Sequence, residues 1–298
     1  MSYKLDYISR LLQKTSRKRI EHYAISRIWH LLDNYDVKMI PQQYVSRELS
    51  QYALTDVYFP QIGLHVEVNE PAHYESEDKV NRDLKRQQEI EIKTGHQIFV
   101  VDCRQDILGI HSQIDELVNK INSEVKEQIK KGKFKPWKPE NEHNPNYWKG
   151  SGSISTSDEV SFFTIEDICL LFDADYQKTK RGYLRNGAIA NPKNTNQLIW
   201  WPSERPRSGW LNNFDEIAET ITETHSDPKK QSDHYDAHAN RTQIRICFFH
   251  NKDILGLISY KYVGVFINDK EKSNPEIGTV WKRVGNKLNL NTTEISEI

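Results

Sequence analysis

The stretch TDVYFPQIGLHVEVNE, residues 55–70, decides the fold of the first half of the chain. It contains two short segments rich in β-branched and aromatic residues, which the turn-prone Pro60 and Gly63 separate. This pattern predicts two paired strands joined by a tight turn, with Asp56 on the first strand and Glu67 on the second. Two acidic groups on paired strands can converge on one point.

Side-chain alternation separates an apolar face of the second strand from a polar one, because successive side chains of a strand point to opposite faces. The apolar face carries Leu64, Val66 and Val68, and the polar face carries His65, Glu67 and Asn69. Hard divalent cations prefer oxygen ligands, and phosphodiester cleavage needs a metal ion to activate water and to offset charge on the phosphate. Asp56 and Glu67 can supply such ligands. From spacing alone, the alternative is an edge strand with a solvated polar face.

The elements on either side of this hairpin complete a small α/β domain. Helical spacing, strand-like runs and the helix-ending Gly95 predict the order helix, three strands, helix, strand, helix. The predicted bounds are 15–33, 37–44, 53–59, 64–69, 76–94, 96–103 and 112–131. This order fits a mixed central sheet covered by helices.

The 298 residues are about twice the length of an ordinary domain, so two domains are expected. Three prolines and a Gly/Ser-rich end predict neither helix nor strand in the segment 132–152. We therefore expect a first domain at 1–131, a linker at 132–152 and a second domain at 153–298. A helix near 165–172 and separated strands predict a curved sheet or partial barrel in the second domain. The predicted strands are 197–201, 219–224, 242–249, 258–267 and 279–284.

Charge and composition narrow the class of protein. The formal net charge is −1 at pH 7, which is unusual for a protein that grips DNA through phosphates alone. Basic clusters at 14–19, 126–138 and 178–185 are either solvated faces or DNA contacts. No stretch approaches the length needed to cross a bilayer, so we expect a soluble, cytoplasmic protein. The cysteines, which form no C-x-x-C pair, are expected to be buried rather than zinc-binding: Cys103, Cys169 and Cys247.

The hairpin resembles the PD-(D/E)XK nuclease core, in the variant shared with Vsr-type mismatch endonucleases, and the predicted order of elements agrees with that fold. Within it, LTDVYFPQIGLHVEVNEPAH is similar to the hydroxymethylcytosine-dependent restriction enzymes, the family that includes AbaSI. The resemblance continues through SRKRIEHYAISRIWHLLD and the FKPW segment to the C-terminal strands, and covers nearly the whole chain. It implies an α/β nuclease domain followed by a mainly β SRA-like domain.

By this resemblance, Asp56 and Glu67 are the ligands of a Mg²⁺ ion. Asn69 and Glu70 take the third catalytic place, where many members of this fold carry lysine. The chain departs from its relatives here, since they favour an acidic residue at the position of Asn69, and a neutral amide binds magnesium less strongly than a carboxylate. Either Glu70 compensates or Asn69 orients the attacking water.

Two further residues are implied at the catalytic site, and each has an ordinary alternative. His73, just beyond the second strand, can protonate the leaving oxygen, or it is a surface histidine. Glu21, in the first predicted helix, can approach the metal ion, or it lies on a solvated helix face.

The second domain carries the part of the resemblance that concerns a modified base. SGWLNN and AETITE resemble the base-pocket segment of the family's SRA-like domain. This implies that Trp210 stacks on a flipped cytosine, and that Asn212 and Glu223 hydrogen-bond to its edge or its hydroxymethyl group. Taken alone, a tryptophan of a β-rich domain is more often core. His234 and His238 stand four apart, but their segment is predicted to be a solvated loop rather than a metal site.

The resemblance implies a Mg²⁺-dependent, type IV-like restriction endonuclease that flips and recognises 5-hydroxymethylcytosine or its glucosylated form in double-stranded DNA and cuts at a distance. Phage DNA is the implied substrate. One site per chain cuts one strand, so a double-strand break calls for a homodimer. Neither a nucleotide cofactor nor a membrane is expected. Two alternatives stay open: a non-cleaving reader of modified DNA, motivated by Asn69, and a Vsr-like repair nickase, against which the second domain argues.

Overall fold

The structure is a computed structural model that describes residues 3–47, 51–71, 76–181, 184–185, 187–239 and 242–296. The chain divides into two compact units. Unit 1 comprises Met1–Glu140 together with Ile254–Gly256, and unit 2 comprises Asn141–Asp253 together with Leu257–Ile298. Each unit encloses hydrophobic clusters of its own.

Unit 1 is built around a mixed sheet. Its helices are α1 (Tyr3–Thr15), α2 (Arg19–Leu32), α3 (Glu77–Thr94) and α4 (Ile107–Lys130). Its strands are β1 (Ile40–Ser46), β2 (Tyr52–Phe59), β3 (Leu64–Asn69) and β4 (Gln97–Asp102). Within the described residues, the sheet has the order β1-β2-β3-β4, and β3–β4 is its parallel pair. The bounds predicted for the strand at 64–69 are those of β3.

Apolar side chains place α2 and α4 on one face of this sheet and α3 on the other. Phe99 of β4 packs in a cluster with Ile28 of α2 and Ile114 of α4. The preceding residue, Ile98, packs in a different cluster with Ile90 of α3. Consecutive side chains of a strand point to opposite faces, so the two clusters lie on opposite sides of the sheet. Each fully buried aliphatic side chain contributes about 1.5–3 kcal/mol, which fixes the strands between their helices.

The prediction of one helix over 15–33 is wrong at its start, because the structure has α1 and α2 with a break between them. The Thr15 hydroxyl donates to the Leu12 carbonyl at 3.2 Å, and the Ser16 hydroxyl donates to the Gln13 carbonyl at 2.8 Å. Such local bonds to the backbone compete with the continuation of a helix. The residues interpreted as a helix start therefore end the preceding helix.

Unit 2 is mainly β and contains α5 (Pro145–Ser151), α6 (Ile165–Leu171) and α7 (Pro228–Ala239). Its strands are β5 (Ser153–Ser155), β6 (Ser161–Phe162), β7 (Lys180–Arg181), β8 (Leu184–Arg185), β9 (Ala188–Asn191), β10 (Asn194–Trp200), β11 (Trp210–Asp215), β12 (Thr220–His225), β13 (Ile244–Lys252), β14 (Ile258–Asn268), β15 (Thr279–Gly285), β16 (Lys287–Asn289) and β17 (Ile295–Ser296). In the part of the unit that the structure describes, the main sheet has the order β11-β12-β15-β14-β13-β10-β9, and β6 pairs with β14.

Two helices of unit 2 contradict the sequence predictions. The helix α5 lies in the segment expected to hold neither helix nor strand, and α7 lies in the predicted solvated loop. They begin at Pro145 and Pro228, and the preceding Asn144 and Asp227 each accept a hydrogen bond from the backbone N–H two residues on. Proline suits the first position of a helix, where its missing N–H is not needed. Prolines interpreted as breaks therefore start these helices.

The predicted fold class, an α/β region with a mixed sheet followed by a mainly β region, is confirmed. The predicted burial of the cysteines is also confirmed, since Cys103, Cys169 and Cys247 are free and buried. Within the described ranges, every helix is too short or too polar to cross a membrane.

Candidate functional site

The strand pair β2–β3 brings Asp56 and Glu67 to the same level of the sheet. Val57 pairs with Val66 at the end of the β2–β3 pairing, so Asp56 and Glu67 are the residues directly beyond the last pair. There the Asp56 Oδ2 atom accepts a hydrogen bond from the Val68 N–H at 2.8 Å. A side-chain carboxylate thus takes a backbone donor of the neighbouring strand.

Asp56 also lies at an irregularity of β2. Ala53 packs on the α3 face of the sheet and Val57 on the opposite face, although residues four apart in a regular strand share a face. The alternation is therefore broken between them. Opposite Asp56 on β1, Gln42 has a left-handed backbone with a φ of 52°. Such a conformation costs a residue with a Cβ atom about 1 kcal/mol or more, and it is often found at functional sites.

This irregularity joins Asp56 to Glu21, in the first turn of α2. Gln42 Nε2 donates to Glu21 Oε1 at 2.7 Å and to Asp56 Oδ1 at 3.1 Å. The Lys18 ammonium lies 2.7 Å from Glu21 Oε2 and 3.8 Å from Asp56 Oδ1. Glu21 is only 4% exposed, so it is not on a solvated helix face. Burial and then the charge of Asp56 raise the pKa of Glu21 to about 7, against the effect of Lys18.

Glu67 faces α3 and is 3% exposed. Its Oε2 atom lies 3.3 Å from Arg86 Nη2, while its Oε1 atom is buried without a hydrogen-bond partner. Burial raises the pKa of Glu67 to about 8; Arg86 opposes this shift, and the charges of Asp56, Asp83 and Glu21 add to it. A buried carboxylate oxygen without a donor is costly, so this site favours a proton or another cation.

The chemistry of these donors fits a hard divalent cation. The described residues contain no preformed group of three or more histidine, cysteine, aspartate or glutamate side chains placed to hold a metal ion. Even so, the partnerless Oε1 of Glu67 and the mutual repulsion of Asp56, Glu67 and Glu21 are what a cation with oxygen ligands would relieve. The residues present are therefore compatible with a divalent metal ion.

The other predicted catalytic residues lie at the end of β3 and beyond it. Asn69, the last residue of the strand, is buried and shares its face with Glu67. Glu70 follows the strand, and no contact described in the structure joins it to Asp56 or Glu67. His73 lies outside the described residues.

In unit 2, two paired strands bring the predicted base-contacting residues together. Asn212 of β11 pairs with Glu223 of β12, and Trp210 pairs with His225 two residues away. Residues two apart in a strand share a face, so these four side chains lie on one face of the sheet. Trp210 and Asn212 are half-buried, and Asn212 Nδ2 donates to the Ser203 carbonyl at 3.0 Å.

Glu223 is held by a buried arginine and a buried tryptophan. Its Oε2 atom accepts from Trp281 Nε1 at 2.7 Å and from Arg245 Nη1 at 3.2 Å. The Arg245 guanidinium lies 3.5 Å from the ring centre of Trp281 and 4.6 Å from that of Trp200. Charge-assisted hydrogen bonds and cation–π contacts therefore fix the carboxylate in one orientation.

Comparison with known proteins assigns both units. Residues 5–150 match the family described as restriction endonuclease PvuRts1 I-like, N-terminal, and residues 147–290 match the SET and RING associated domain, or SRA. The structure entitled "The 5-Hydroxymethylcytosine-Specific Restriction Enzyme AbaSI" is 31% identical, with a TM-score of 0.65, over 96% of this chain and 97% of that chain. The chain belongs to the AbaSI family of restriction endonucleases. None of the curated proteins compared with it matches.

Family membership confirms the resemblance drawn from the hairpin and the C-terminal strands. By homology, this member of the AbaSI family is a DNA nuclease. The same homology indicates that it uses a divalent metal ion. The fold class, an α/β nuclease region followed by an SRA domain, is confirmed at the level of the family as well.

The contacts around the two sites include residues that sequence reasoning missed. Lys18 could have been proposed from the sequence, since it belongs to the basic cluster 14–19 and precedes Glu21 by one helical turn. Arg86 and Arg245 could not have been, because only tertiary packing brings them to Glu67 and Glu223. In this family member, Glu67 and Glu223 thus each have an arginine partner from a distant part of the sequence.

The raised pKa of Glu67 predicts how the metal-free nuclease unit responds to pH. Between about pH 4.5 and pH 8 the folded state holds the Glu67 proton more tightly than the unfolded state does. The free energy of unfolding therefore falls as pH rises through this window, by on the order of a few kcal/mol for this group. In urea unfolding with EDTA, we expect Glu67→Gln to reduce that slope and to leave the part due to Glu21, whose pKa is raised to about 7. Glu116→Gln, at an exposed position of α4, is the control, and an unchanged slope in Glu67→Gln would contradict the assignment.

Proposed function

We propose that this protein is a Mg²⁺-dependent endonuclease that flips and recognises 5-hydroxymethylcytosine, or its glucosylated form, in double-stranded DNA and cuts at a distance. The supporting observation is the cluster of Asp56, Glu67 and Glu21, with its partnerless buried carboxylate oxygen. Membership of the AbaSI family supports the choice of modified cytosine. We place the nuclease domain at 1–131 and the recognition domain at 153–298, joined by a linker at 132–152.

In the nuclease domain, Asp56 and Glu67 would hold the metal ion. When bound, it would activate the attacking water and offset the charge that builds on the scissile phosphate. Gln42 keeps the Glu21 and Asp56 carboxylates side by side through its two hydrogen bonds. Arg86 keeps Glu67 from rotating away, because it holds the Oε2 atom and leaves Oε1 available.

The remaining catalytic roles are proposed for residues at the end of β3 and beyond it. Asn69 shares the face of Glu67, which supports a role in orienting the attacking water. Glu70 is the alternative to Asn69 in this place, where its carboxylate would compensate for the missing charge at position 69. His73 is proposed to protonate the leaving oxygen.

In the recognition domain, a flipped cytosine would stack on Trp210 and meet Asn212 and Glu223 through its polar edge. Stacking on an aromatic ring replaces the contacts that a base loses when it leaves the duplex. The fixed carboxylate of Glu223 and the half-buried amide of Asn212 can accept and donate hydrogen bonds. Pocket groups already held in place lose little freedom on binding, which favours discrimination between bases.

One catalytic cluster per chain is expected to cut one strand. A break in both strands of phage DNA would then need two copies, and we propose a two-fold homodimer.

The function is tested by digesting matched duplexes that contain cytosine, 5-methylcytosine, 5-hydroxymethylcytosine or glucosylated 5-hydroxymethylcytosine at one position. With Mg²⁺ we expect fragments from one or both of the hydroxymethylated duplexes and none from plain cytosine. With EDTA we expect no fragments from any of them. A gel shift of modified DNA without cleavage would favour a non-cleaving reader, and nicks at mismatches in unmodified DNA would favour a repair nickase.

A further inference from the structure

The helix α7 is fastened to the edge of the proposed base pocket. Gln231 Nε2 donates to the Pro275 and Glu276 carbonyls at 2.7 and 2.9 Å, near the start of the helix. Near its end, the His238 carbonyl accepts from Asn268 Nδ2 at 3.0 Å. Both ends of α7 are therefore held by polar contacts within unit 2.

His234, between these two points, lies next to two of the three residues proposed to bind the base, Trp210 and Glu223. Its ring centre lies 4.7 Å from that of Trp210 and 4.2 Å from that of His238. Its Nε2 atom lies 3.9 Å from Glu223 Oε2, and its Nδ1 atom is 3.1 Å from the Thr279 hydroxyl. The imidazole thus lies beside both the Trp210 indole and the Glu223 carboxylate.

The indole of Trp210 has a second histidine against it. His225, its partner on β12, meets it edge to face with ring centres 4.6 Å apart. Trp210 is the first residue of β11 and is half-buried, so the strand alone gives its side chain little support. Two ring contacts from different elements restrict the indole to one orientation.

We propose that His234 is a further specificity-determining residue of this protein, which positions Trp210 relative to Glu223 so that the pocket is ordered before a modified cytosine enters. This inference rests on the proposed function. The ring of His234 provides the support, since its Nε2 atom is farther from Glu223 than a hydrogen bond allows. When that ring is removed, binding of the base must order the indole, and the affinity for modified DNA falls.

The test uses the full chain in EDTA and duplexes that carry 5-hydroxymethylcytosine or cytosine at one position. We expect His234→Ala to weaken binding of the modified duplex about tenfold and to leave plain DNA within about twofold. His234→Phe keeps a ring against Trp210 and should recover part of the loss, whereas His234→Gln should not. Asp236→Ala, on the exposed side of α7, is the matched control and should bind as the unmodified protein does.

Two outcomes separate this inference from the function on which it rests. If the unsubstituted protein binds both duplexes equally, the proposed function fails. If it discriminates and His234→Ala discriminates to the same degree, the role of His234 is overturned. A general loss of affinity for both duplexes, or recovery by Gln but not by Phe, would also overturn it. Should His234→Ala not fold, the comparison of His234→Phe with His234→Gln decides.

Discussion

Replacing Asp56 with alanine is expected to reduce DNA cleavage about a thousandfold or more while modified DNA is still bound. The carboxylate is one of the two proposed metal ligands, and loss of a ligand removes several kcal/mol of charge stabilisation in the transition state. It also accepts a hydrogen bond from the Val68 N–H, so Asp56→Ala leaves a backbone donor without its partner. Asp56→Asn keeps an oxygen for that N–H and separates the effect of charge from that of folding.

Cleavage rates with Mg²⁺ measure the loss of activity, and gel shifts with EDTA measure the retained binding of modified DNA. Asp115→Ala is the control, because Asp115 is exposed and forms a surface ion pair with Arg27; such a pair contributes about 1 kcal/mol or less. If cutting survives in both Asp56 variants, the metal site lies elsewhere in the chain. If modified DNA is no longer bound, Asp56 has a wider structural role than the one assigned to it.

Trp210→Ala is expected to lower the preference for modified over plain cytosine by about 10- to 100-fold. Stacking of a base on an aromatic ring contributes about 1–3 kcal/mol, and each 1.4 kcal/mol corresponds to a factor of ten in affinity. Trp210→Phe retains a smaller stacking surface and should fall between the two. The ratio of dissociation constants for matched duplexes is the measurement, since it cancels losses common to all DNA.

Leu211 provides the matched control for Trp210. It is the next residue of β11, points to the opposite face and is 42% exposed. Leu211→Ala should leave the ratio of dissociation constants unchanged. Unaltered selectivity in Trp210→Ala would rule out a stacking role for this tryptophan.

The sequence predicted those helices and strands whose ends are set by residues next to them in the sequence. The β-branched residues that follow the turn-prone Gly63 placed β3, and the glycine at position 95 ends α3 with a left-handed φ of 68°. The break between α1 and α2 was missed because Thr15 is as suitable for starting a helix as for ending one. The helix α7 was missed because a polar sequence that starts with proline resembles a loop until its contacts with β12 and β15 are known.

The candidate sites also contain some residues that the sequence predicted and others that it did not. Sequence motifs were enough to propose Asp56, Glu67, Trp210, Asn212 and Glu223. Strand alternation and family resemblance are both recognised from residues that are close together in the sequence. Arg86 and Arg245 could not be proposed as partners of Glu67 and Glu223, since only tertiary packing brings these arginines to the two carboxylates. A one-dimensional pattern thus predicts which groups carry the chemistry, whereas the groups that position them depend on packing.

The three buried thiols give the folded chain an internal reporter of opening. Burial raises the pKa of Cys103 and of Cys169 to about 11, and raises that of Cys247 as well. Thiolate is the reactive form, so alkylating reagents should spare all three in the native protein. Because Cys103 belongs to unit 1 and the other two to unit 2, the order in which they become labelled follows the unfolding of each half separately.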